Sequence, residues 1–435
     1  MHMPEKFSAV ALSIVLTATA SAQSLDDDIA ADYPYLDGLF KDLHQNPELS
    51  MQEFKTSDRM AAEMATLGFE VTREVGNTGV VGVMKNGDGP TLMIRADMDG
   101  LPVQEKTGFS YASEVRQVNL EGMDMPVMHA CGHDVHMAVL IGTARRMVDL
   151  KDQWQGTLML VAQPAEEAEG GARAMVADNI YGRTVRPDFA LAMHVGAGDP
   201  AGKITFSDGL MYSSADTVKI TVQGIATHGA SPHLGRDPVL IGAQIVVALQ
   251  TIVTREVSPI EPALITVGAF RGGTAPNVIA DHARLDITVR ANSEETRKIL
   301  LESIERVAVQ TARAAGIPEN LLPIVEIDEN GAPTTTNDAA LAQRVRKAMV
   351  EQMGSEALFP FKQVDMGAED FPDLVNVDPP IPSVYFGVGG TPVEDLEAGT
   401  WAGHHSPLFW IAPEPSIKGG VEGMTVAALE LLKKP

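Results

Sequence analysis

The sequence predicts an α/β fold in which a mainly parallel sheet, sandwiched by helices, is interrupted by a smaller α+β unit. Short apolar runs over 79–84, 91–94, 157–162 and 188–193 alternate with stretches of helical spacing, the pattern that helical crossovers impose on parallel strands. Near residue 214 the texture changes to strand, helix, strand, strand, helix, and it reverts after Pro323. A chain of 435 residues has room for both units and a sizeable core.

Taken in order, helical spacing runs over 36–67 with an interruption near Pro47, the apolar runs come next, and 137–147 reads as a helix between the second and third of them. In the second unit 217–222 alternates as a half-buried strand, 238–256 is a helix, 263–270 and 283–290 are strands, and 293–315 is a charged helix. A helix over 337–353, a strand over 383–388 and a closing helix over 417–432 complete the first unit. The division expected is a leader over 1–22, a larger domain from 23–213 and 324–435, and an insert over 214–323.

The leader carries Lys6, an apolar run over 7–16 and then Thr17-Ala18-Thr19-Ala20-Ser21-Ala22, small residues where a signal peptidase cuts. Cleavage before Gln23 is expected, giving an exported protein, periplasmic or secreted. The run abuts Asp26-Asp27-Asp28 and has no amphipathic face, which argues against a first core helix. No later stretch approaches the roughly 20 apolar residues of a membrane span. Acidic residues outnumber basic ones 58 to 33, and the formal charge of −25 opposes nucleic acid and anionic membrane surfaces. With 45% hydrophobic and 21% charged residues, wholesale disorder is excluded. One cysteine, Cys131, excludes an intramolecular disulfide and any four-thiolate metal site.

The residues at the end of each strand carry the chemistry. The run 91–94 leads into Arg95-Ala96-Asp97-Met98-Asp99, 158–162 into Gln163-Pro164-Ala165-Glu166-Glu167, 189–193 into His194, and 384–388 through a loop to His404-His405-Ser406-Pro407. In a parallel sheet these positions share the carboxyl edge, where open α/β sheets build their sites. Cys131-Gly132-His133 precedes a helix and can aim a thiolate and an imidazole at one cation; with carboxylates this is the donor set of zinc and related ions. Adjacent glutamates suit a division of labour between holding metal and moving protons. A lone cysteine is usually inert, and acidic pairs usually sit in solvent. Here Cys131 has His133, Glu166, Glu167, His194 and His405 within the same set of strand ends. His129 and His136 fit supporting or packing roles better than ligation. His-Glu-x-x-His, Gly-x-Ser-x-Gly and Walker signatures are absent from the sequence.

These residues resemble the aminoacylase and carboxypeptidase family of dinuclear metallohydrolases, in particular the amidohydrolase branch of hippurate and indole-acetyl-amino-acid hydrolases. The matches run in order through Leu43 to Ser50, Arg95 to Pro102, His129-Ala-Cys-Gly-His-Asp-Val-His136, Gln163 to Glu167, Met193-His194-Val195, Thr227 to His233, Asn277 to Asp281, Gly367-Ala-Glu-Asp-Phe371 and His405-Ser-Pro407. The resemblance implies a catalytic domain with an inserted lid that often dimerises. It implies two divalent ions (zinc, manganese, nickel or cobalt) held by Cys131, His133, Glu167, His194 and His405, the choice of His405 over His404 resting on its spacing to Pro407. Glu166 is then the general base, Asp97 and Asp99 support the ligands from behind, and His228 of the insert reaches the site on closure or from a dimer partner. Asn277 and Arg290 are candidates to grip a substrate carboxylate. The expected substrates are N-acyl amino acids or small peptides, with carboxypeptidase or dipeptidase action as the alternative. A metal-free thiol amidase using Cys131 and a binding protein without turnover are the remaining readings.

Overall fold

The computed structural model describes residues 24–168 and 170–434; the expected leader over 1–22 lies outside the described residues. The chain opens with α1 (Leu25–Gln45), α2 (Phe54–Thr66), β1 (Glu70–Val75), β2 (Gly79–Asn86), β3 (Thr91–Asp97), β4 (Arg116–Val118), β5 (Asp124–Pro126) and α3 (His133–Asp149). It continues through β6 (Gly156–Gln163), α4 (Gly171–Ala177), α5 (Ile180–Arg183), β7 (Phe189–Pro200), β8 (Ile204–Phe206) and β9 (Leu210–Tyr212). The insert comes next as β10 (Ser214–Gln223), β11 (Thr227–His228), α6 (Pro238–Arg255), β12 (Ala263–Gly272), β13 (Val278–Ile279), β14 (His282–Ala291), α7 (Glu294–Ala314) and β15 (Ile324–Ile327). The return comprises β16 (Thr335–Thr336), α8 (Ala339–Met353), β17 (Leu358–Pro360), α9 (Phe371–Val375), β18 (Ser383–Thr391), α10 (Val393–Ala398) and α11 (Pro413–Leu431).

The main sheet has the order β1-β2-β6-β3-β7-β18-β8-β17. Its centre, β6-β3-β7-β18, is parallel, and antiparallel strands flank it on both sides. Every residue of β3 is buried, as a strand covered on both faces requires. Period-two alternation sends Leu92, Ile94 and Ala96 into the core shared with α1, α3, α8 and α11, and Met93 into the core under α4 and α9. Register then sets the site: Asp97 lies opposite Gln163, Arg95 opposite Ala192, and His194 opposite Gly387. Asp97, Gln163 and His194 therefore reach one level at the carboxyl edge.

The insert is an antiparallel sheet, β12-β14-β10-β15, backed by α6 and α7 around Val218, Ile220, Ile245, Leu285, Leu300 and Ile304. Its fourth strand carries the unit past the expected boundary at 323. β15 pairs with the free side of β10, and Val325 packs on the insert's core.

Three other expectations change. The first helix begins at Leu25, where Ser24 and Asp27 form a reciprocal capping box that an apolar pattern does not register. The strand expected to end at Met193 continues to Pro200 because β18 stays paired with it, so His194 projects from within β7. And α6 is long and apolar enough, by length and composition alone, to cross a membrane; Gln244 and Gln250 break its apolar run in the sequence. In the fold Ile241, Ile245, Leu249 and Ile252 bury one face of α6 in the insert, while Leu240 and Val247 stand exposed.

The last turn of α1 inserts His44 between two carboxylates, with Nδ1 2.6 Å from Asp134 and Nε2 3.2 Å from Glu105. Burial opposes its protonation, but Asp134 and Glu105 outweigh that and raise its pKa from 6.5 to about 9. Stability from this imidazolium is complete below the unfolded pKa and is lost as pH rises through about 9. Thermal melts should show wild-type protein losing more stability than His44→Gln between pH 6.5 and about 9. The difference should be on the order of 3 kcal/mol at most, and parallel curves would contradict the linkage.

Candidate metal-binding site

Gly132 makes the cysteine loop possible. It caps α3 with φ +93°, and a Cβ there would sit 2.4 Å from a Val195 methyl on β7. The loop thus lies flat against the sheet edge, with Cys131 and His133 on either side of the glycine. His133 opens α3; its Nδ1 lies 2.8 Å from the Asp99 carbonyl, which aims Nε2 toward Glu166 and Glu167 at 3.7 and 3.9 Å. From β7, His194 turns Nδ1 to the Val195 carbonyl at 2.8 Å and Nε2 to the Cys131 sulfur at 3.4 Å. Burial, with His136 and His404 nearby, holds His194 well below the usual histidine range, so its ring is neutral and has a lone pair to offer.

The two glutamates hang from a turn after β6. Ala165 adopts φ +50°, a conformation that costs an L-residue roughly 1–2 kcal/mol. Asp99 accepts the N–H of Glu166 on one oxygen and that of Glu167 on the other, each at 3.1 Å, and takes the Ser50 hydroxyl at 2.6 Å. Burial, then Glu369 and Glu167, push the Glu166 carboxyl well above the ordinary carboxylate range. Asp97 is equally buried but behaves oppositely: His133, His136 and Arg95 overcome burial and keep it ionised. Its Oδ1 faces His136 Nδ1 at 2.5 Å, and its Oδ2 accepts from Arg95 at 2.7 Å.

Both histidines of the 404–405 pair reach the site. His404 accepts the Ala197 N–H on Nε2 at 3.1 Å and turns Nδ1 to Cys131 at 3.7 Å. His405, held by its N–H on the Ala130 carbonyl, presents Nε2 to Glu167 at 3.4 Å. Since His404 already uses its accepting nitrogen, His405 is the one with a ring nitrogen to spare.

Donor atoms of Cys131, His133 and His194 lie within 4.8 Å of one another, as do those of Cys131, Glu167 and His405, and of His133, Glu166 and Glu167. His133 Nε2 and Glu167 Oε1 are buried without a hydrogen-bond partner among the described residues. Such atoms are costly unless a cation completes them. Thiolate, imidazole and carboxylate donors suit zinc and related divalent ions, so the donor set fits.

The insert residues are elsewhere. His228 is exposed on β11, with Nδ1 accepting the Ala230 N–H, and Asn277 lies beside it, its carbonyl accepting from Gly229. Among the described residues neither bonds to the cysteine–histidine group. Arg290, on β14, points its guanidinium at the Met366 carbonyl, 3.5 Å away at the junction of the two units. Sequence reasoning missed the support behind Glu166. Fully buried Arg95 pairs with Glu369 at 2.8 Å and Asp370 at 3.1 Å, and Tyr385 donates to Glu369 at 2.6 Å. Its signal was an arginine ending an apolar strand, but nothing in the sequence names partners 274 residues away.

The sequence profile of peptidase family M20/M25/M40 matches residues 93–427. The hippurate hydrolase of Campylobacter jejuni is 35% identical over 331 residues, 76% of this chain and 82% of that one. Thermostable carboxypeptidase 2 of Saccharolobus solfataricus is 30% identical over 416 residues, 95% of this chain and 99% of that one. A solved dinuclear metal-binding peptidase from Bacillus subtilis has a TM-score of 0.75 and 27% identity, over 93% of this chain and 99% of that one.

In ion-free protein, burial and then Glu167 and Glu166 keep Cys131 a thiol. Burial opposes a charged His133, but Asp97, Asp99 and Glu167 raise its pKa to about 10. A divalent ion must displace both protons. Calorimetry near pH 8 in buffers of different ionisation enthalpy should report proton release, with affinity rising up to about tenfold per pH unit for each proton displaced. Binding heats independent of the buffer would contradict this.

Proposed function

This chain belongs to peptidase family M20/M25/M40 and is a metal-dependent hydrolase of amide or peptide bonds; from that premise we propose that it cleaves N-acyl amino acids or short peptides with Glu166 as general base. The observation that carries the reading is Glu166, buried and with a raised pKa, beside His133 Nε2 and Glu167 Oε1, which have no hydrogen-bond partner among the described residues. Cys131, His133, Glu167, His194 and His405 are the side chains that would hold two divalent ions, and the soft sulfur among them favours zinc, nickel or cobalt over magnesium. Bound there, such ions supply Lewis acidity toward the amide carbonyl and lower the pKa of water.

Glu166 takes a proton from the attacking water and delivers it to the departing nitrogen. A carboxyl with a raised pKa suits both halves of that transfer. Asp99 fixes the backbone from which Glu166 and Glu167 project. Arg290 stands at the junction with its fork available to a substrate carboxylate, and Asn277 and His228 share one edge of the insert. His228, exposed in the single chain, acts on the oxyanion from a partner subunit in this reading. Support for such a dimer comes from β12, an edge strand, and from the exposed side of α6, where Val247 is 72% exposed. A thiol amidase is disfavoured, because burial and then Glu167 push the Cys131 thiol up and away from the nucleophilic thiolate.

N-acetyl, N-benzoyl and dipeptide substrates should be turned over by ion-loaded protein, not after chelation, and again on adding back one ion. Glu166→Gln should lower kcat roughly 10²–10⁴-fold with ion content unchanged. Turnover indifferent to chelation, or an active Glu166→Gln, would overturn the reading. Val247→Glu should convert dimer to monomer in sedimentation at micromolar concentration and remove activity while ion content stays. A monomeric wild type with full activity would remove the partner's role.

A further inference from the structure

We infer that Glu53 is a positioning residue that holds the Glu166–Glu167 turn in its working shape. Glu53 precedes α2 and is fully buried, yet its side chain does not cap that helix. It turns inward instead. Oε1 accepts the N–H of Met51 at 3.0 Å and of Ala165 at 2.8 Å, and Oε2 accepts the Thr78 hydroxyl at 2.6 Å. Among the described residues no cation pairs with it. A buried carboxylate bonded only to neutral donors is unfavourable in itself, so its retention needs a purpose that those bonds serve.

Ala165 supplies the purpose. It holds φ +50°, which glycine adopts freely and alanine does not. Its N–H is the first of a consecutive series: Ala165 bonds to Glu53, Glu166 to Asp99 Oδ1, and Glu167 to Asp99 Oδ2. On the other side of the residue, the Ala165 carbonyl accepts from Gly171 at 3.2 Å. Two buried carboxylates from distant parts of the chain thus clamp successive amides, and the clamp fixes where both glutamate side chains begin. Asp99 alone leaves Ala165 free to relax to negative φ, which would swing Glu166 away from His133.

The inference rests on Glu166 as proton carrier, so the test has one arm that depends on that reading and one that does not. Full-length enzyme is compared with Glu53→Ala, Glu53→Gln and the double variant Glu53→Ala/Ala165→Gly, after ion content is measured in each. Glu53→Ala should lose about tenfold or more in kcat with KM within about twofold, the mark of a group misplaced for the chemical step. Amides of 165–168 in ion-free protein should exchange with deuterium about tenfold faster or more, without a matching change in α3. Glu53→Gln should recover most of the loss, because its amide oxygen still accepts from Met51 and Ala165 and its nitrogen can donate to Thr78. Adding Ala165→Gly to Glu53→Ala should restore part of kcat, since glycine takes the turn without the clamp. Should Glu53→Ala not fold, Glu53→Asp, too short to reach Ala165, is read the same way. Unchanged kcat and exchange in Glu53→Ala would overturn the inference, as would a kcat loss without faster exchange at 165–168 or without recovery in Glu53→Gln. If wild-type protein cleaves no amide, the proposed function fails, and the exchange arm alone decides whether Glu53 sets the turn.

Discussion

A buried sheet edge crowded with carboxylates has to be neutralised by something. Asp97, Asp99, Glu166, Glu369 and Asp370 are buried together, with Glu167 half-buried beside them. Among the described residues Arg95 is the permanently charged side chain that forms ion pairs with this group. In a medium of low dielectric that balance is untenable with every acid ionised. The ion-free protein meets it with protons: Glu166 and Asp370 are pushed up mainly by burial, and His133 is held charged by Asp97 and Asp99 against burial. Divalent ions are the other solution, and the orphaned His133 and Glu167 atoms are the places where protein donors alone fall short.

The rest of the fold serves that concentration of charge. Parallel register brings Asp97, Gln163 and His194 to one level, Gly132 lets the cysteine loop press against β7, and the Ala130 carbonyl and Ala197 N–H hold the 404–405 loop across from them. Helices on both faces keep water from the strands below. Among the described residues, His228 and Asn277 of the insert make no hydrogen bond to this group within a single chain, and His228 and the outer side of α6 are exposed.

Much of this was legible in the sequence because it is local. Apolar runs that end in acids or imidazoles mark strand ends, and Cys131-Gly132-His133 before a helical pattern marks a donor loop. The insert's order of elements was visible in its changed periodicity. What was not legible is long-range or geometric. Nothing in the sequence pairs Arg95 with Glu369, assigns Ile324–Ile327 to the edge of β10, or sends Glu53 to the amide of Ala165. The different surroundings of His404 and His405 were not legible either: the Ala197 N–H and Cys131 face the ring of His404, and Glu167 faces that of His405. Positive φ at Ala165 has no sequence signature, because alanine, unlike glycine or asparagine, does not mark a left-handed position.

The most direct test of the central claim is anomalous diffraction from crystals of ion-loaded protein, collected on either side of the metal's absorption edge. Two peaks are expected, both in contact with the donors of Cys131, His133, Glu167, His194 and His405. A single peak, or ions bound at Glu369 and Asp370 with the cysteine–histidine donors empty, would contradict the two-ion site.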